Sequence, residues 1–475
     1  MNDEIEDWLN SDVSKDYFEL IRFQSVGADP AHLRDCVQCA MWLKGWLRKT
    51  GAEVELIVPS SGGGAGSSAA AGCAAAVPIV YAERKGDADG PTMLIYGHYD
   101  VQPVEPLAAW KTPPFEPTVV GDRVYARGAQ DDKGQFFAFL NGVMKSEKKP
   151  NLKIILDGQE ESESRVLTEL LKDPAFRGRI AADALLVCDT SAAAGLRPAI
   201  VAGLRGVAHF TVRLTGANRD LHSGEYGGIA PNAAQEMAEL LASLHNPDGS
   251  IAVPGFRDGI EPPGCEELRL AEIGMLPEHG GESASSLADI EAMYERDIGC
   301  PPCGGQIGKT IVQRNGFEPT IEINGMWSGH TGAGAKTIIP AEAWAKLSMR
   351  LVPGQSPRGC FDAVKAHLEG RCPKGLRVEL TEVDLGTPGF RLPIASPLFR
   401  LARELLAELD PRGPVFMWDG ASIPVVSLLR EASGAAPLIV GWGQPGDRIH
   451  SPNESYSVRQ FKLAEKWGET IAGAF

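Results

Sequence analysis

Five short apolar runs in this chain each end in a histidine or a carboxylate, and that placement constrains the fold more than any other feature. Met93–Tyr96 leads into Gly97-His98-Tyr99-Asp100, and Val124–Gly128 leads into Asp131-Asp132-Lys133-Gly134. Leu152–Leu156 ends in Asp157-Gly-Gln-Glu160-Glu161, Leu185–Cys188 ends in Asp189, and Leu438–Gly441 passes through a Gly-rich turn to His450. In an open α/β sheet the carboxyl ends of the strands line the ligand crevice, so groups far apart in the chain converge there. Each signal alone is weak. A histidine after a strand is commonly a satisfied loop residue, an Asp-Asp-Lys-Gly is commonly a helix N-cap, and a Glu-Glu pair is usually solvated. Five coincidences in one chain point to a shared site.

The first half alternates strand-like and helix-like runs, the pattern of a sheet covered on both faces. Strands are expected at Val54–Val58, Ile79–Glu83, Thr92–Tyr96, Leu152–Leu156 and Ala184–Val187, with helices such as Gly134–Ser146 and Arg165–Lys172 between them. From about Gly206 the order becomes β-α-β-β-α-β, ending in a strand over Leu376–Val383 and interrupted by a Pro/Gly-rich insertion over Pro254–Gln313. After Gly386 the α/β alternation returns. The expected class is therefore α/β: a mixed, mostly parallel sheet domain with helices on both faces, built from residues 1–205 and 388–475, into which residues 206–387 insert an α+β, ferredoxin-like domain. Residues 60–76 are Gly/Ser/Ala low complexity and are expected to form a mobile loop. Their Gly64-Ala-Gly66-Ser-Ser-Ala69 is a loose dinucleotide fingerprint with no amphipathic helix behind it, so no nucleotide site is expected.

Charge removes other classes. Forty-six Lys+Arg against 62 Asp+Glu leave a net charge of −16, a field that repels polyanions and argues against nucleic-acid partners. No apolar run reaches the roughly 18–20 residues a bilayer requires, so no membrane span is expected. The opening MNDEIEDWLN is acidic where an export signal is basic and then apolar, and nine cysteines, an odd count, suit a reducing cytoplasm. Two CxxC pairs, Cys36/Cys39 and Cys300/Cys303, raise a four-cysteine zinc site as an alternative. The first pair lies in an amphipathic stretch, Leu33 to Leu47, where i,i+3 cysteines pack as apolar residues. The second, beside Gly304 and Gly305, reads as a turn able to hold a labile disulfide.

Two histidines and several carboxylates on one edge suit Zn²⁺, Mn²⁺ or Co²⁺. Carboxylates crowded in a cleft repel and take up protons unless cations neutralise them, which two divalent ions do directly. An acid shared by both would hold them about 3.5–4 Å apart, as in co-catalytic hydrolases. His98-x-Asp100 supplies a ligand together with a carboxylate that fixes its tautomer. No HExxH and no G-x-S-x-G occurs, which removes two competing hydrolytic signatures.

The ordered set His98-Tyr-Asp100-Val-Gln-Pro103, Arg127-Gly-Ala-Gln-Asp131-Asp-Lys-Gly134, Glu160-Glu161, Asp189, Asp220-Leu-His222-Ser-Gly224, Gly334-Ala-Lys-Thr-Ile-Ile-Pro340, Arg350-Leu-Val-Pro353, Ser422-Ile-Pro424 and Ile449-His450-Ser451 resembles the M20 family of metallopeptidases over nearly the full length. Its dipeptidase and carnosinase branch is the most similar. The resemblance implies His98 and Asp189 on one metal, Glu161 and His450 on the other, and Asp131 bridging them. Asp131 is selected over Asp132 because the family's bridging acid lies two residues before the Lys of Asp-x-Lys-Gly. It further implies that Asp100 orients His98, that Glu160 is the general base acting on a metal-bridged hydroxide, and that His222 stabilises the oxyanion. In dimeric relatives that histidine reaches the partner subunit's site, so the inserted domain is expected to serve as a lid and a dimerisation surface. Arg350, Thr337 and Ser422 are expected to hold the substrate's C-terminal carboxylate.

Two departures touch specificity. Relatives carry Arg-Glu-Gly-Gly before Ser-Ile-Pro where this chain has Trp418-Asp-Gly-Ala421, and a His-containing turn where this chain has Leu385-Gly-Thr-Pro-Gly389. His330 is a compensating substrate residue or a solvated loop histidine. The expected function is a cytoplasmic, homodimeric, metal-dependent hydrolase of dipeptides or short peptides with a free carboxylate. Two alternatives stand beside it: an N-acyl or N-carbamoyl amino acid amidohydrolase, and a non-catalytic binding protein on the same scaffold.

Overall fold

A computed structural model of the chain describes residues 3–58, 77–87, 90–162, 164–275, 278–279, 282–283, 286–420 and 422–475. The low-complexity run with its glycine fingerprint and Cys73, and Ala421, lie outside the described residues. The chain divides into two compact units, one of Met1–Ala202, Leu392–Phe416 and Leu428–Phe475, the other of Gly203–Arg391 and Met417–Ser427. Residues 417–427, read from the sequence as part of the sheet domain, thus cluster with the second unit.

The first unit is built on a mixed sheet. Seven of the sheet's nine described strands run in the order Glu53–Ile57, Ile79–Arg84, Asn151–Asp157, Thr92–His98, Ala184–Val187, Ala436–Ile439 and Ala199–Leu204. The four from Asn151–Asp157 to Ala436–Ile439 are mutually parallel, and each of the flanking three pairs antiparallel with its neighbour on the side of those four. Met93, Leu94, Ile95 and Tyr96 are all buried, the continuous apolar run demanded of a strand covered on both faces. At the edge, exposed Glu53 and Glu55 alternate with buried Val54, as suits a strand with one covered face. Register matters most for the site. His98 pairs with Asp157 and Tyr96 with Val187, so the three central strands finish level and deliver the residues that follow to one rim.

Helices lock that rim from behind. Lys133–Lys145 starts directly after Asp131-Asp132 and runs beside Val458–Ala474 at backbone contact. A Cβ at Gly142 would stand 1.8 Å from the Glu465 carbonyl oxygen, and one at Gly468 would stand 2.1 Å from that of Phe139. Leu33–Lys49 buries Cys36, Cys39, Ala40, Leu43, Trp46 and Leu47 along one stripe.

The second unit contains a four-stranded antiparallel sheet in the order Thr320–Ser328, Glu342–Leu351, Gly206–Thr215 and Arg377–Thr387. Helices Ala233–Ala242 and Pro357–Arg371 complete a β-α-β-β-α-β, ferredoxin-like topology. Alternate residues Ala208, Phe210, Val212 and Leu214 meet Met237, Leu241, Phe361 and Val364 in one core. The last strand continues through the expected Leu385–Gly389 turn as far as Thr387, because Leu385 packs against this core and Asp384 and Thr387 pair with His209 and Val207. The insertion is not a loop throughout: helices Cys265–Met275 and Leu287–Ile298 form within it, the second opened by a Ser286/Asp289 capping box. Among the described residues no helix is long and apolar enough to cross a membrane.

Candidate metal centre

At the rim of the first unit, His98, Asp131 and Asp189 form one group and Asp131, Glu161 and His450 form a second, with ligand atoms in each group within 4.8 Å of one another. These are the only such groups among the described residues, and neither contains a cysteine. The four-cysteine zinc alternative therefore fails: Cys36 and Cys39 are buried in a helix, while Cys300 and Cys303 are exposed.

Asp131 links the two groups. Its Oδ1 is 3.2 Å from His98 Nε2, and its Oδ2 is 2.9 Å from His450 Nε2. His98 Nε2 also faces Asp189 Oδ2 at 3.6 Å, and His450 Nε2 faces Glu161 Oε1 at 3.2 Å. Donors bound at about 2.1 Å around a tetrahedral ion stand roughly 3.4 Å apart. Both groups fit divalent ions on that measure. The tautomer agrees, because His98 Nδ1 is 3.3 Å from Asp100 Oδ1 and 3.2 Å from the Asp100 carbonyl, which leaves the Nε2 lone pair toward Asp131 and Asp189.

Asp100 does more than orient an imidazole. Its Oδ1 accepts the Glu160 amide and its Oδ2 the Glu161 amide, each at 3.1 Å, so one buried carboxylate fixes the turn carrying both glutamates. Glu161 Oε2 accepts from Gln102 Nε2 at 2.7 Å, leaving Oε1 for His450. Asp132, adjacent to Asp131, points away and accepts the His98 backbone N–H at 3.1 Å.

Glu454 escapes a reading of local pattern altogether. Fully buried, it accepts from Arg127 Nη1 at 2.8 Å, Gly128 N at 3.0 Å, Gln130 N at 2.9 Å and Asp131 N at 3.1 Å. It holds the loop that presents Asp131. The only signal in the sequence is its position four residues after His450, and surface glutamates occur in the same setting.

Electrostatics show what the cluster lacks. Burial raises the Glu160 carboxyl to about 8, with Asp189 and Glu161 adding to the rise, and burial and Asp131 raise Asp189 to about 7. Hydrogen bonds to Asp131 and Glu161 raise His450 to about 10. Burial opposes ionisation of Asp131, yet the hydrogen bonds from His450 and His98 hold its carboxyl well below the ordinary range. Acids that retain protons beside imidazoles that gain them mark a site short of positive charge, which divalent cations supply.

The other candidate residues lie in the second unit. His222 ends a two-residue strand paired with Ile338–Ile339, and its Nδ1 accepts the Gly224 N–H at 3.0 Å. The Ser223 N–H donates to the Thr337 carbonyl at 3.1 Å, which places Thr337 beside His222. Arg350 Nη1 donates to Ser422 Oγ at 2.9 Å. His330 is exposed, its ring 3.3 Å from the Ala333 carbonyl.

Comparison with known proteins points to one family. The profile of peptidase family M20/M25/M40 matches residues 94–472. The β-Ala-His dipeptidase of Rattus norvegicus is 30% identical over 79% of this chain and 75% of its own length. The Cys-Gly metallodipeptidase dug1 of Schizosaccharomyces pombe is 28% identical over 81% of this chain and 80% of its own. The crystal structure of the M20 family metallo-carboxypeptidase Sso-CP2 from Sulfolobus solfataricus superposes with a TM-score of 0.76 at 25% identity, covering 98% of this chain and 99% of that one. The chain belongs to peptidase family M20/M25/M40 and is a dipeptidase-like metalloenzyme of that family.

Proposed function

We propose that the protein hydrolyses the amide bond of dipeptides or short peptides bearing a free C-terminal carboxylate, with two divalent ions, Zn²⁺ or Mn²⁺, per subunit. The observation that carries the reading is Asp131, whose two oxygens face two different histidines at 3.2 and 2.9 Å. His98 and Asp189 would hold one ion, Glu161 and His450 the other, and Asp131 would serve both. Bound divalent ions neutralise the acids and lower the pKa of water in the site.

The chain's own groups divide the remaining work. Asp100 keeps the His98 ring in the ligating tautomer and fixes the Glu160–Glu161 turn. Glu160 takes a proton from the attacking water and returns it to the leaving amine. Arg350, Ser422 and Thr337 hold the substrate carboxylate, His222 donates to the oxygen of the former carbonyl, and His330 lines the substrate's path. The second unit serves as lid and dimerisation surface, with a homodimer as the working assembly. The names of the rat and yeast relatives support dipeptides as the substrate class.

The test is turnover of a dipeptide panel and of N-acetyl amino acids by chelator-treated protein, before and after adding Zn²⁺ or Mn²⁺. Metal-restored release of amino acids from dipeptides alone supports the reading. Turnover of the acetylated substrates alone replaces it with a deacylase, and binding without turnover of either replaces it with a scaffold protein.

A further inference from the structure

Arg205 has no part in the reading above, yet the second unit places it against the segment that carries Ser422. Its Nε donates to the Gly420 carbonyl at 2.9 Å, and its Nη1 lies 3.4 Å from the Arg314 carbonyl and 3.3 Å from that of Glu318. Three backbone carbonyls from two chain segments thus converge on one guanidinium, a fork that a lysine cannot reproduce. The same junction has no spare volume. A Cβ at Gly420 would lie 2.2 Å from Asn315 Oδ1 and 2.7 Å from Arg205 Nη2, and one at Gly316 would lie 2.8 Å from Trp418 Cβ. Trp418, buried against Phe317 with ring centroids 5.5 Å apart, anchors the near end of the segment, and Ser422, bonded to Arg350, stands at the far end.

Charge points the same way. Burial first, and then the neighbouring Arg350, lower the Arg205 guanidinium to about 10 against the smaller opposing pull of Asp419 and Glu322, so the two cations still repel in a partly desolvated place. A carboxylate received by Arg350 relieves that repulsion.

We propose that Arg205 is a positioning residue for the substrate's carboxylate: by holding the Gly420 carbonyl it fixes the point in the chain, two residues before Ser422, from which that serine meets Arg350. The inference rests on the reading that Arg350 and Ser422 bind that carboxylate. It does not make Arg205 a catalytic residue, since the donors described above are spent on backbone.

The experiment uses the full chain, metal-loaded, with a dipeptide and its C-terminal amide, each measured as substrate or as competing ligand. Arg205→Ala is expected to raise KM or Ki for the acid about tenfold while that for the amide stays within about twofold, with metal content unchanged. Arg205→Lys, which keeps the charge and reaches fewer carbonyls, is expected to recover part of the loss. Gly420→Ala, which keeps the guanidinium but sets a methyl 2.7 Å from Arg205 Nη2 and so pushes the Gly420 carbonyl and Arg205 apart, is expected to show the same acid-only shift, and it decides the matter if Arg205→Ala does not fold. Arg350→Ala separates the two failures. Should Arg350→Ala distinguish acid from amide while the Arg205 and Gly420 variants do not, the role of Arg205 is refuted. Should Arg350→Ala treat acid and amide alike, the carboxylate reading falls and this inference falls with it.

Discussion

Replacing Glu454 tests how the metal centre is held rather than what it does. Its buried carboxylate accepts four hydrogen bonds, two on each oxygen: Arg127 Nη1 and Gly128 N on Oε2, Gln130 N and Asp131 N on Oε1. Glu454→Gln retains one accepting oxygen and sets an NH₂ donor against the other two donors, with the Arg127 charge left buried and unpaired. Removing one partner of a buried ion pair costs about 3–5 kcal/mol. At somewhat under about 2 °C per kcal/mol for a unit of this size, Tm of the metal-free protein should fall by roughly 5–9 °C in calorimetry. The remaining oxygen goes to the charged Arg127, which turns the NH₂ toward Gln130 N and Asp131 N, so the Asp131 amide loses its acceptor and metal affinity should fall as well, by about 10–100-fold in a competition titration with a chromophoric chelator. A variant whose Tm stays within about 1 °C of the parent and whose metal affinity is unchanged would show that the loop is held by something else. A double substitution with Arg127→Met should cost less than the sum of the two single changes, since both remove the same pair.

Glu160→Gln should keep both metals and lose turnover by about 10²–10⁴-fold, whereas Glu161→Gln should weaken one ion; metal analysis alongside kcat separates them, and equal metal loss in both would contradict the division of roles. In chelator-treated protein, burial chiefly raises Glu160 to about 8, Asp189 to about 7 and Asp157 to about 6, so the folded state binds these protons more tightly than the unfolded chain does. Their stabilising contribution is complete below about pH 4 and is lost as pH rises through about 6–8; Tm of metal-free protein should therefore drop between about pH 5.5 and 8.5, and Zn²⁺ or Mn²⁺ at the upper pH should restore it. A flat or rising Tm over that window would contradict the burial of these acids. Gly142→Ala places a methyl 1.8 Å from the Glu465 carbonyl oxygen and should cost about 1–3 kcal/mol in denaturant unfolding, a loss that a neutral result would rule out.

Much of the site could be read from short stretches. An apolar run of strand length followed by His98-x-Asp100, Asp131, Glu160-Glu161, Asp189 or His450 is a local pattern, and the rule that strand ends line a crevice turns it into a prediction of convergence. The packing of Cys36 and Cys39 is equally local, since i,i+3 spacing in an amphipathic stretch defines a helix face. Other features lie beyond such patterns. The three antiparallel flanking strands depend on which neighbour each strand meets, and the continuation of a strand to Thr387 depends on Leu385 finding a core.

Side-chain chemistry and spacing in the sequence thus determined which residue types would gather at one sheet edge, because strand polarity is a short-range property. The tertiary structure alone decided how each group is aimed: that the two oxygens of Asp131 face different histidines, that Asp132 turns to the His98 amide, and that Glu454 holds the Gln130 amide across 324 residues of chain. The reason is physical. Orientation comes from hydrogen bonds and burial between segments that meet only on folding, and a buried glutamate has the same letter as a solvated one.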